Sequence, residues 1–243
     1  MLTLPVSKIS QVASGALLHN NDCGPTCIAM KGQAYKILLD KTVDQVYDEI
    51  KPLGDTGICG WQLDYYLSQH GLETDWKSFT LHDVFDCMVS QKPITALIHY
   101  GVLVDAGLTE FKTFRGGHFV EIVGIDLGYI CIHDPDRRDE IAQDIPIDVF
   151  MRSWKSATLD ENESYTGLVP KLPICDLSSP TPGAVDYIVN QGCINVRSAP
   201  VEVPSTIVGR MWRGEIAHVV SKSGGYAKMT NNLYVWFNFL KLK

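Results

Sequence analysis

The stretch Asn20-Asn-Asp-Cys-Gly-Pro-Thr-Cys-Ile-Ala-Met30 places a cysteine, Cys23, at the start of a helix-like sequence. Pro25 suits a first helical turn because its missing N–H would lack a partner there in any case, and Asp22 or Asn21 can cap that turn. The partial positive charge of a helix N-terminus stabilises a thiolate. Because the thiolate is the reactive form of cysteine, the stretch predicts a nucleophile at Cys23.

Composition is that of an ordinary globular chain. The 243 residues are 45% hydrophobic and 20% charged, which suits one large domain or two smaller ones. No apolar run approaches the roughly 18 residues of a membrane span, and the N-terminus lacks the pattern of a secretory signal. Seven cysteines, an odd number without regular spacing, favour free thiols and synthesis in the cytoplasm.

Charge divides the chain into two parts. The first 183 residues contain 14 Lys and Arg against 25 Asp and Glu, whereas the remaining residues contain 7 against 3. Residues 171–183 are rich in Pro and Ser, as linkers are, and the tail alternates short apolar runs with turn signals. We therefore predict a domain over 1–170, a linker over 171–183 and a small all-β domain over 184–243.

The first domain contains helical and strand-like segments. The sequence Thr42-Val-Asp-Gln45 predicts a capping box that opens a helix ending at Ile50. Pro93 to Tyr100 has the continuous apolar character of a buried strand. The segment 101–115 after it is predicted to be a long, functional loop. The other predicted elements are helices over 26–39, 61–69, 81–91 and 146–154, and strands around Trp76 and over 167–170.

Two apolar runs flank Gly124-Ile-Asp-Leu-Gly128 and predict a β-hairpin. With the turn centred on Asp126, opposing residue numbers sum to 252, and His118 faces Asp134. The two-residue period of a strand places both of these side chains on one face and His133 on the other. A bulge or a one-residue slip would change this register.

Cys23, His118 and Asp134 have the chemistry of a nucleophile, a base and an orienting group. Histidine titrates near neutrality and can take the thiol proton, and a carboxylate can hold the imidazole tautomer. The alternative is an inert buried thiol and a core histidine. Spacing gives only weak support to a zinc site, and we expect Cys27 to be a core thiol, with no metal or cofactor bound. The side chains that such a zinc site would use are Cys23, Cys27, His118 and His133.

Three short motifs carry a resemblance to a known family. Asp22-Cys-Gly-Pro-Thr26, Gly117-His-Phe-Val120 and Asp134-Pro135 resemble the papain-like cysteine peptidases of the bacteriocin, or double-glycine, leader peptidase type, family C-thirty-nine. The resemblance covers about residues 10–170. It implies an α+β, papain-like fold in which a helical lobe packs on an antiparallel sheet.

The resemblance also implies individual roles, with Cys23 as nucleophile, His118 as general base and acid, and Asp134 as orienting group. The family usually has an oxyanion-binding glutamine six residues before the cysteine. That position is Leu17 here, and no glutamine lies between Gln11 and Cys23. Loss of one oxyanion donor lowers a rate by about 10²–10³, so weak or absent activity is one alternative. The candidate substitutes, beside the Cys23 backbone N–H, are His19, Asn20 and Asn21.

The tail resembles the bacterial Src-homology-three (SH3) domain, a small β-barrel that holds cell-wall or other peptide ligands. The segments that carry this resemblance are Ile194-Asn-Val-Arg-Ser-Ala-Pro200, Ile207-Val-Gly209, Gly214-Glu215, Tyr226-Ala-Lys-Met229 and Tyr234-Val-Trp-Phe237. It implies an aromatic ligand groove; the alternative is that half of these aromatic side chains fill a small core. The candidate groove residues are Trp212, Tyr226, Tyr234 and Trp236.

These features predict a cysteine peptidase that hydrolyses an amide bond through a thioester at Cys23. A basic barrel of the wall-binding type predicts peptidoglycan peptides as the substrate. A missing secretory signal then predicts a phage lysin or virion-associated lytic enzyme, released by lysis or carried in a virion. The expected partners are a peptide or peptidoglycan substrate and a cell-wall or virion component, with no nucleic acid. The alternatives are a cytoplasmic peptidase for a protein or leader peptide, and an inactive papain-like binding or virion structural protein.

Overall fold

In a computed structural model, the protein consists of two compact units, Met1–Leu177 and Ser178–Lys243. The residues that the structure describes are 2–12, 21–52, 57–110, 112–139, 141–157, 164–174, 185–190, 193–197, 207–212, 216–223, 225–229 and 234–242. Most of the linker predicted over 171–183 lies outside these ranges, so its boundaries and those of the two domains stay predictions.

In its described residues, the first unit is built on one antiparallel sheet of seven strands. Six strands follow the order β2-β7-β3-β4-β5-β6, and β1 lies off this path, paired with the last two residues of β4. The predicted strands around Trp76 and over 93–100 and 167–170 are confirmed as β2, β3 and β7. The strands are β1 (Leu2–Thr3), β2 (Thr74–Ser78), β3 (Ile94–His99), β4 (Gly117–Ile125), β5 (Tyr129–His133), β6 (Gln143–Pro146) and β7 (Thr166–Pro170).

Helices cover this sheet. Every residue of β4 from His118 to Ile125 is buried, so both faces of the strand are covered. This confirms the prediction of helices packed on an antiparallel sheet. None of the helices in the described ranges has the length and apolar content to cross a membrane. The helices are α1 (Cys23–Ala34), α2 (Val43–Ile50), α3 (Gly60–Gln69), α4 (Leu81–Val89), α5 (Tyr100–Asp105) and α6 (Ile147–Lys155).

Capping boxes locate the starts of two helices. At α2, the Gln45 backbone N–H donates to the Thr42 hydroxyl, and the Thr42 N–H donates to the Gln45 side chain. The predicted capping box is therefore confirmed. The same reciprocal bonds join Thr80 and Asp83 at the start of α4.

The first helix is shorter than predicted. It begins at Cys23 and ends at Ala34, five residues before the predicted end. The chain leaves the helix because Lys36 adopts a left-handed backbone conformation, with a φ of 57°. Asp22 occupies the N-cap position, but its backbone is helical and its side chain makes no capping hydrogen bond. The predicted side-chain cap by Asp22 is therefore wrong.

The segment 101–115 is not the continuous loop that the sequence predicts, because α5 occupies Tyr100–Asp105. Leu103 and Val104 are buried, and α5 packs against α6. A helix of six residues is too short to form by itself, so contacts with α6 that are distant in sequence decide its conformation.

The β4–β5 hairpin has a different register from the predicted one. Glu121 pairs with His133, so opposing residue numbers sum to 254 rather than 252. A bulge after Ile122 shifts the pairing by one further residue towards the turn. The predicted direct pairing of His118 with Asp134 is therefore wrong. The two-residue difference nevertheless keeps both residues on the predicted face of the sheet.

A buried ion pair joins α1 to β4. The Lys31 Nζ lies 2.6 Å from Glu121 Oε1 and donates to the Pro93 carbonyl at 2.9 Å. The second carboxylate oxygen of Glu121 accepts a hydrogen bond from Thr95 Oγ1 at 2.6 Å. Both charged side chains are fully buried, and burial raises the pKa of Glu121 in spite of the neighbouring ammonium. Each charge is therefore tolerated in the core because the other is present.

The second unit is made of strands and one short 3-10 turn in its described residues. The antiparallel order is β10-β9-β13-β12-β11-β8-β14. No pairing between described residues joins the two ends of this order, so the predicted SH3-like barrel is not confirmed. The strands are β8 (Val185–Val189), β9 (Cys193–Arg197), β10 (Ile207–Trp212), β11 (Ile216–Ser223), β12 (Tyr226–Met229), β13 (Tyr234–Trp236) and β14 (Leu240–Leu242).

The variant Lys31→Met leaves the Glu121 carboxylate buried without its cation. We expect the free energy of unfolding of the first unit to fall by about 3–5 kcal/mol. Native-state hydrogen exchange of the β4 amides measures this loss. The double variant Lys31→Met/Glu121→Leu should recover most of it, because an apolar pair needs no compensating charge.

The matched control is Arg152→Ala, which removes an exposed ion pair with Asp148 on α6. Exposed pairs contribute little to stability, so exchange of the β4 amides should stay at the wild-type rate. Unchanged exchange in Lys31→Met would show that the buried pair does not hold α1 to β4.

Candidate active site

Cys23 is the first residue of α1, so its thiol lies at a helix N-terminus as the sequence predicts. The residue is half-buried. Gly24 lets this end of the helix approach its neighbours closely, because an added Cβ would lie 3.3 Å from side-chain carbons of both Leu63 and Phe119. The unpaired N–H groups of a first helical turn and their partial positive charge thus lie beside a partly accessible thiol.

His118 and Asp134 form a buried hydrogen-bonded pair. The Nε2 atom of His118 lies 2.8 Å from Asp134 Oδ1, and the two side chains are 2% and 0% exposed. His118 is near the start of β4, and Asp134 follows the last residue of β5. In the observed register, the His118 and Asp134 side chains are diagonal neighbours and not directly opposite each other. Long side chains can span the distance between diagonal neighbours on a sheet.

The partners of Asp134 determine the proton positions in this pair. An ionised carboxylate only accepts hydrogen bonds, so the His118 Nε2 must carry a proton. Cys23 is near enough to the His118 ring to contribute to raising the pKa of the imidazole. Because Nε2 is occupied by Asp134, Nδ1 is the ring nitrogen left to interact with the thiol. The imidazole therefore lies between the thiol and the carboxylate, in the order required for a nucleophile, a base and an orienting group.

Two opposing effects act on the imidazole. Burial lowers the pKa of His118, but its hydrogen bonds to Asp134 and Cys23 and their negative charges outweigh burial and raise it well above the ordinary value. Burial acts to raise the pKa of Asp134. The His118 ring, the Asp136 backbone N–H and the Tyr100 hydroxyl outweigh it, so the net pKa of Asp134 is lowered. The site therefore favours an imidazolium beside a carboxylate.

Gln11 contacts the segment that follows Asp134, although its distance from Cys23 in the sequence is longer than the family spacing. Its side-chain amide donates a hydrogen bond to Asp136 Oδ1, and its backbone N–H donates to the Pro135 carbonyl at 3.0 Å. Asp136 is buried, and burial raises the pKa of its carboxyl. Sequence reasoning missed these contacts of Gln11 because it searched a fixed spacing before Cys23. The signal available in the sequence was that Gln11 is a glutamine that precedes Cys23.

Neither Cys27 nor His133 belongs to this arrangement. Cys27 is fully buried, and burial raises the pKa of its thiol well above the ordinary value. The His133 Nε2 hydrogen-bonds to the Val6 carbonyl at 2.8 Å, and burial lowers the pKa of this imidazole. Across the described ranges, no group of three or more His, Cys, Asp or Glu side chains is arranged to hold a metal ion. The zinc alternative therefore has no geometric support in those ranges.

The remaining candidate residues are only partly covered by the structure. Of the predicted oxyanion donors, His19 and Asn20 lie outside the described residues, while Asn21 is half-buried and packs against Gly57. In the second unit, Tyr226 is buried and Tyr234 is half-buried. The side chains of the two remaining groove candidates are outside the described set; these are Trp212 and Trp236.

Comparison with solved structures shows the fold of the first unit. A C39-like peptidase from Bacillus anthracis superposes with a TM-score of 0.52 at 14% identity, over 68% of this chain and 94% of that chain. A double glycine motif protease from an AMS/PCAT transporter, solved with the leader peptide, has a TM-score of 0.45 at 20% identity, over 69% and 93%. The peptidase domain of Streptococcus ComA has a TM-score of 0.46 at 14% identity, over 68% and 98%.

Family assignment comes from the sequence itself. No curated protein matches the chain. Residues 3–159, which include Cys23, His118 and Asp134, match the Peptidase_C39 like family. This match covers more than half of the 243 residues. The chain therefore belongs to the Peptidase_C39 like family.

Proposed function

We propose that the protein is a thiol peptidase in which Cys23 is the nucleophile, His118 the general base and acid, and Asp134 the orienting group. The observation that carries this proposal is the buried imidazole of His118, which hydrogen-bonds to the Asp134 carboxylate and whose pKa is raised by Asp134 and Cys23. Membership of a peptidase family supports the same chemistry.

In the proposed reaction, the proton of the Cys23 thiol passes to His118 and the thiolate attacks the carbonyl carbon of a peptide bond. The imidazolium then donates its proton to the leaving amine, which leaves a thioester on Cys23. His118 next takes a proton from water, the hydroxide attacks the thioester, and the carboxylic acid product departs from the regenerated thiol. Asp134 holds the Nε2 proton throughout and stabilises each imidazolium.

The developing oxyanion needs preorganised donors. We propose that the Cys23 backbone N–H is one of them, because the first N–H groups of a helix have no partner within it. A side-chain amide is the second. Gln11 is a candidate because its amide lies next to the Asp134–Asp136 segment. The further candidates remain His19, Asn20 and Asn21.

We propose bacterial cell-wall peptides as the substrate, with a phage or virion as the context. The support is the basic charge of residues 184–243 and their β-structure. Leader peptides of the double-glycine type are the second candidate, supported by membership of the C39-like family. An inactive binding or virion structural protein is the third, because the family spacing of the oxyanion glutamine is not kept.

Alkylation at neutral pH tests the nucleophile. We expect iodoacetamide to label Cys23 ahead of Cys59, and the variant His118→Ala to slow labelling of Cys23 by about 10²-fold or more. Peptide mass spectrometry measures both rates. Cys59 is the matched control because it is also half-buried and also lies at a helix N-terminus, that of α3. Equal labelling of the two thiols in the wild type would remove the support for a nucleophile at Cys23.

The protonation of His118 tests the electrostatics. Its raised folded-state pKa means that folding favours the imidazolium. That stabilisation is complete below the unfolded-state value of about 6.5 and is lost as the pH rises through the folded-state pKa. NMR titration of labelled histidines should show His118 charged well above pH 6.5, and Asp134→Asn should lower its pKa. His133, whose pKa burial lowers, is the internal control. A wild-type His118 that is neutral at pH 6.5 would contradict the arrangement.

The substrate is tested with wild type and Cys23→Ala side by side. We expect wild type to clear a suspension of bacterial cell walls, measured by turbidity, and the variant to leave it turbid because the thioester cannot form. Equal clearing by both proteins would exclude the Cys23 mechanism. A second assay offers a double-glycine leader peptide and follows cleavage by chromatography. Cleavage there without clearing of walls would favour the leader-peptide alternative over the cell-wall proposal.

A further inference from the structure

The two oxygens of the Asp134 carboxylate have different partners. Oδ1 accepts from the His118 Nε2 at 2.8 Å and from the Asp136 backbone N–H at 3.0 Å. Oδ2 accepts from the Tyr100 hydroxyl at 3.0 Å. Among the hydrogen bonds between described residues, this is the one donor to Oδ2. The Asp134 side chain is fully buried, so water does not replace a missing donor.

The position of Tyr100 is fixed by its burial and by a backbone hydrogen bond. It is the first residue of α5 and is fully buried. Its backbone N–H donates to the Gly116 carbonyl at 3.0 Å, two residues before His118. Burial and the Asp134 charge raise the pKa of its hydroxyl far above the ordinary range, so the hydroxyl stays a donor at any working pH.

The ring of Tyr100 also covers the imidazole. Its centroid lies 4.6 Å from that of His118 with an interplanar angle of 63°, an edge-to-face contact. Phe114 packs beside both rings: its ring centroid lies 5.8 Å from that of Tyr100 and 6.3 Å from that of His118. The side chain that donates to Asp134 therefore also restricts the His118 ring.

We propose that Tyr100 is a positioning residue that orients the Asp134 carboxylate, and through it the His118 imidazole, for proton transfer with Cys23. This inference rests on the proposed thiol peptidase function. The physical reason is that the carboxylate torsion of an aspartate is broad and weakly restrained by itself. A donor on Oδ2 restrains this torsion, so Oδ1 stays directed at the His118 Nε2.

The variant Tyr100→Phe separates the hydroxyl from the ring, because it keeps the edge-to-face contact and removes the donor. We expect the rate of Cys23 alkylation at neutral pH to fall about tenfold, the size expected for one hydrogen bond to a buried charge. We also expect the pKa of His118, followed by NMR, to fall, because a carboxylate that rotates away stabilises the imidazolium less.

The direction of the His118 shift distinguishes positioning from a purely electronic effect. If the carboxylate kept its orientation, loss of the Tyr100 donor would concentrate its charge on the imidazolium, and the pKa of His118 would rise. A lower alkylation rate together with a lower pKa supports the proposal. An unchanged rate, or a pKa of His118 that is unchanged or raised, overturns it.

The matched control is Tyr35→Phe. Tyr35 is also a buried tyrosine, and its hydroxyl donates to the Leu172 carbonyl at 2.8 Å. The substitution removes the same atom from a similar environment outside the Cys23–His118–Asp134 set. We expect comparable loss of stability but wild-type alkylation and an unchanged pKa of His118. An equal effect of both variants on Cys23 would mean that Tyr100 acts only through stability.

A double-mutant cycle keeps the test valid if Tyr100→Phe is poorly stable. In an Asp134→Asn background, Tyr100→Phe should add almost nothing to the loss of alkylation rate, because the group through which it acts has changed. Additive losses overturn the proposal. Failure of the proposed function is recognised separately: wild-type Cys23 would then react no faster than Cys23 in His118→Ala, before Tyr100 is altered at all.

Discussion

The buried pair of Lys31 and Glu121 is the interaction on which the geometry of the site depends. Lys31 lies eight residues after Cys23 on α1, roughly 12 Å along a helix. Glu121 lies three residues after His118 on β4, roughly 10 Å along a strand. The ion pair thus joins α1 to β4 at a point about 12 Å along the helix from Cys23 and about 10 Å along the strand from His118. A sliding of α1 along β4 that carried the thiol away from the imidazole would also separate two buried charges.

The hairpin shows why two side chains can be predicted to meet although the predicted register is wrong. The predicted and observed pairings differ by two residues before the bulge, and a strand repeats its side-chain direction every two residues. His118 and Asp134 therefore stayed on one face. The bulge itself could not be predicted locally, because it lies where β1 pairs with β4. At Gly124 a Cβ would lie 2.7 Å from the Leu2 carbonyl oxygen, a contact between residues distant in the sequence.

Features whose conformation depends on residues nearby in the sequence could be predicted from it. The capping box at Thr42 and the helix start at Cys23 are decided within a few residues, and both were predicted. The hydrogen bonds of Gln11 to Asp136 and of Tyr100 to Asp134 were not predicted, because they join residues distant in the sequence. Neither residue type nor local spacing encodes those contacts, so sequence reasoning proposed Cys23, His118 and Asp134 without the side chains that contact them.

Several contacts of the first unit join residues near the N-terminus to residues much later in the sequence, so they can form only late during synthesis. Lys8 Nζ donates to the carbonyls of Arg137 and Asp139, and the Leu4 N–H donates to the Val123 carbonyl. Lys31 likewise has its ion-pair partner, Glu121, 90 residues later in the chain. Contacts so distant in sequence form late, since loop closure must precede them. On a ribosome Cys23 therefore emerges long before His118 and Asp134, and the proposed set of three side chains can assemble only when the sheet is nearly complete.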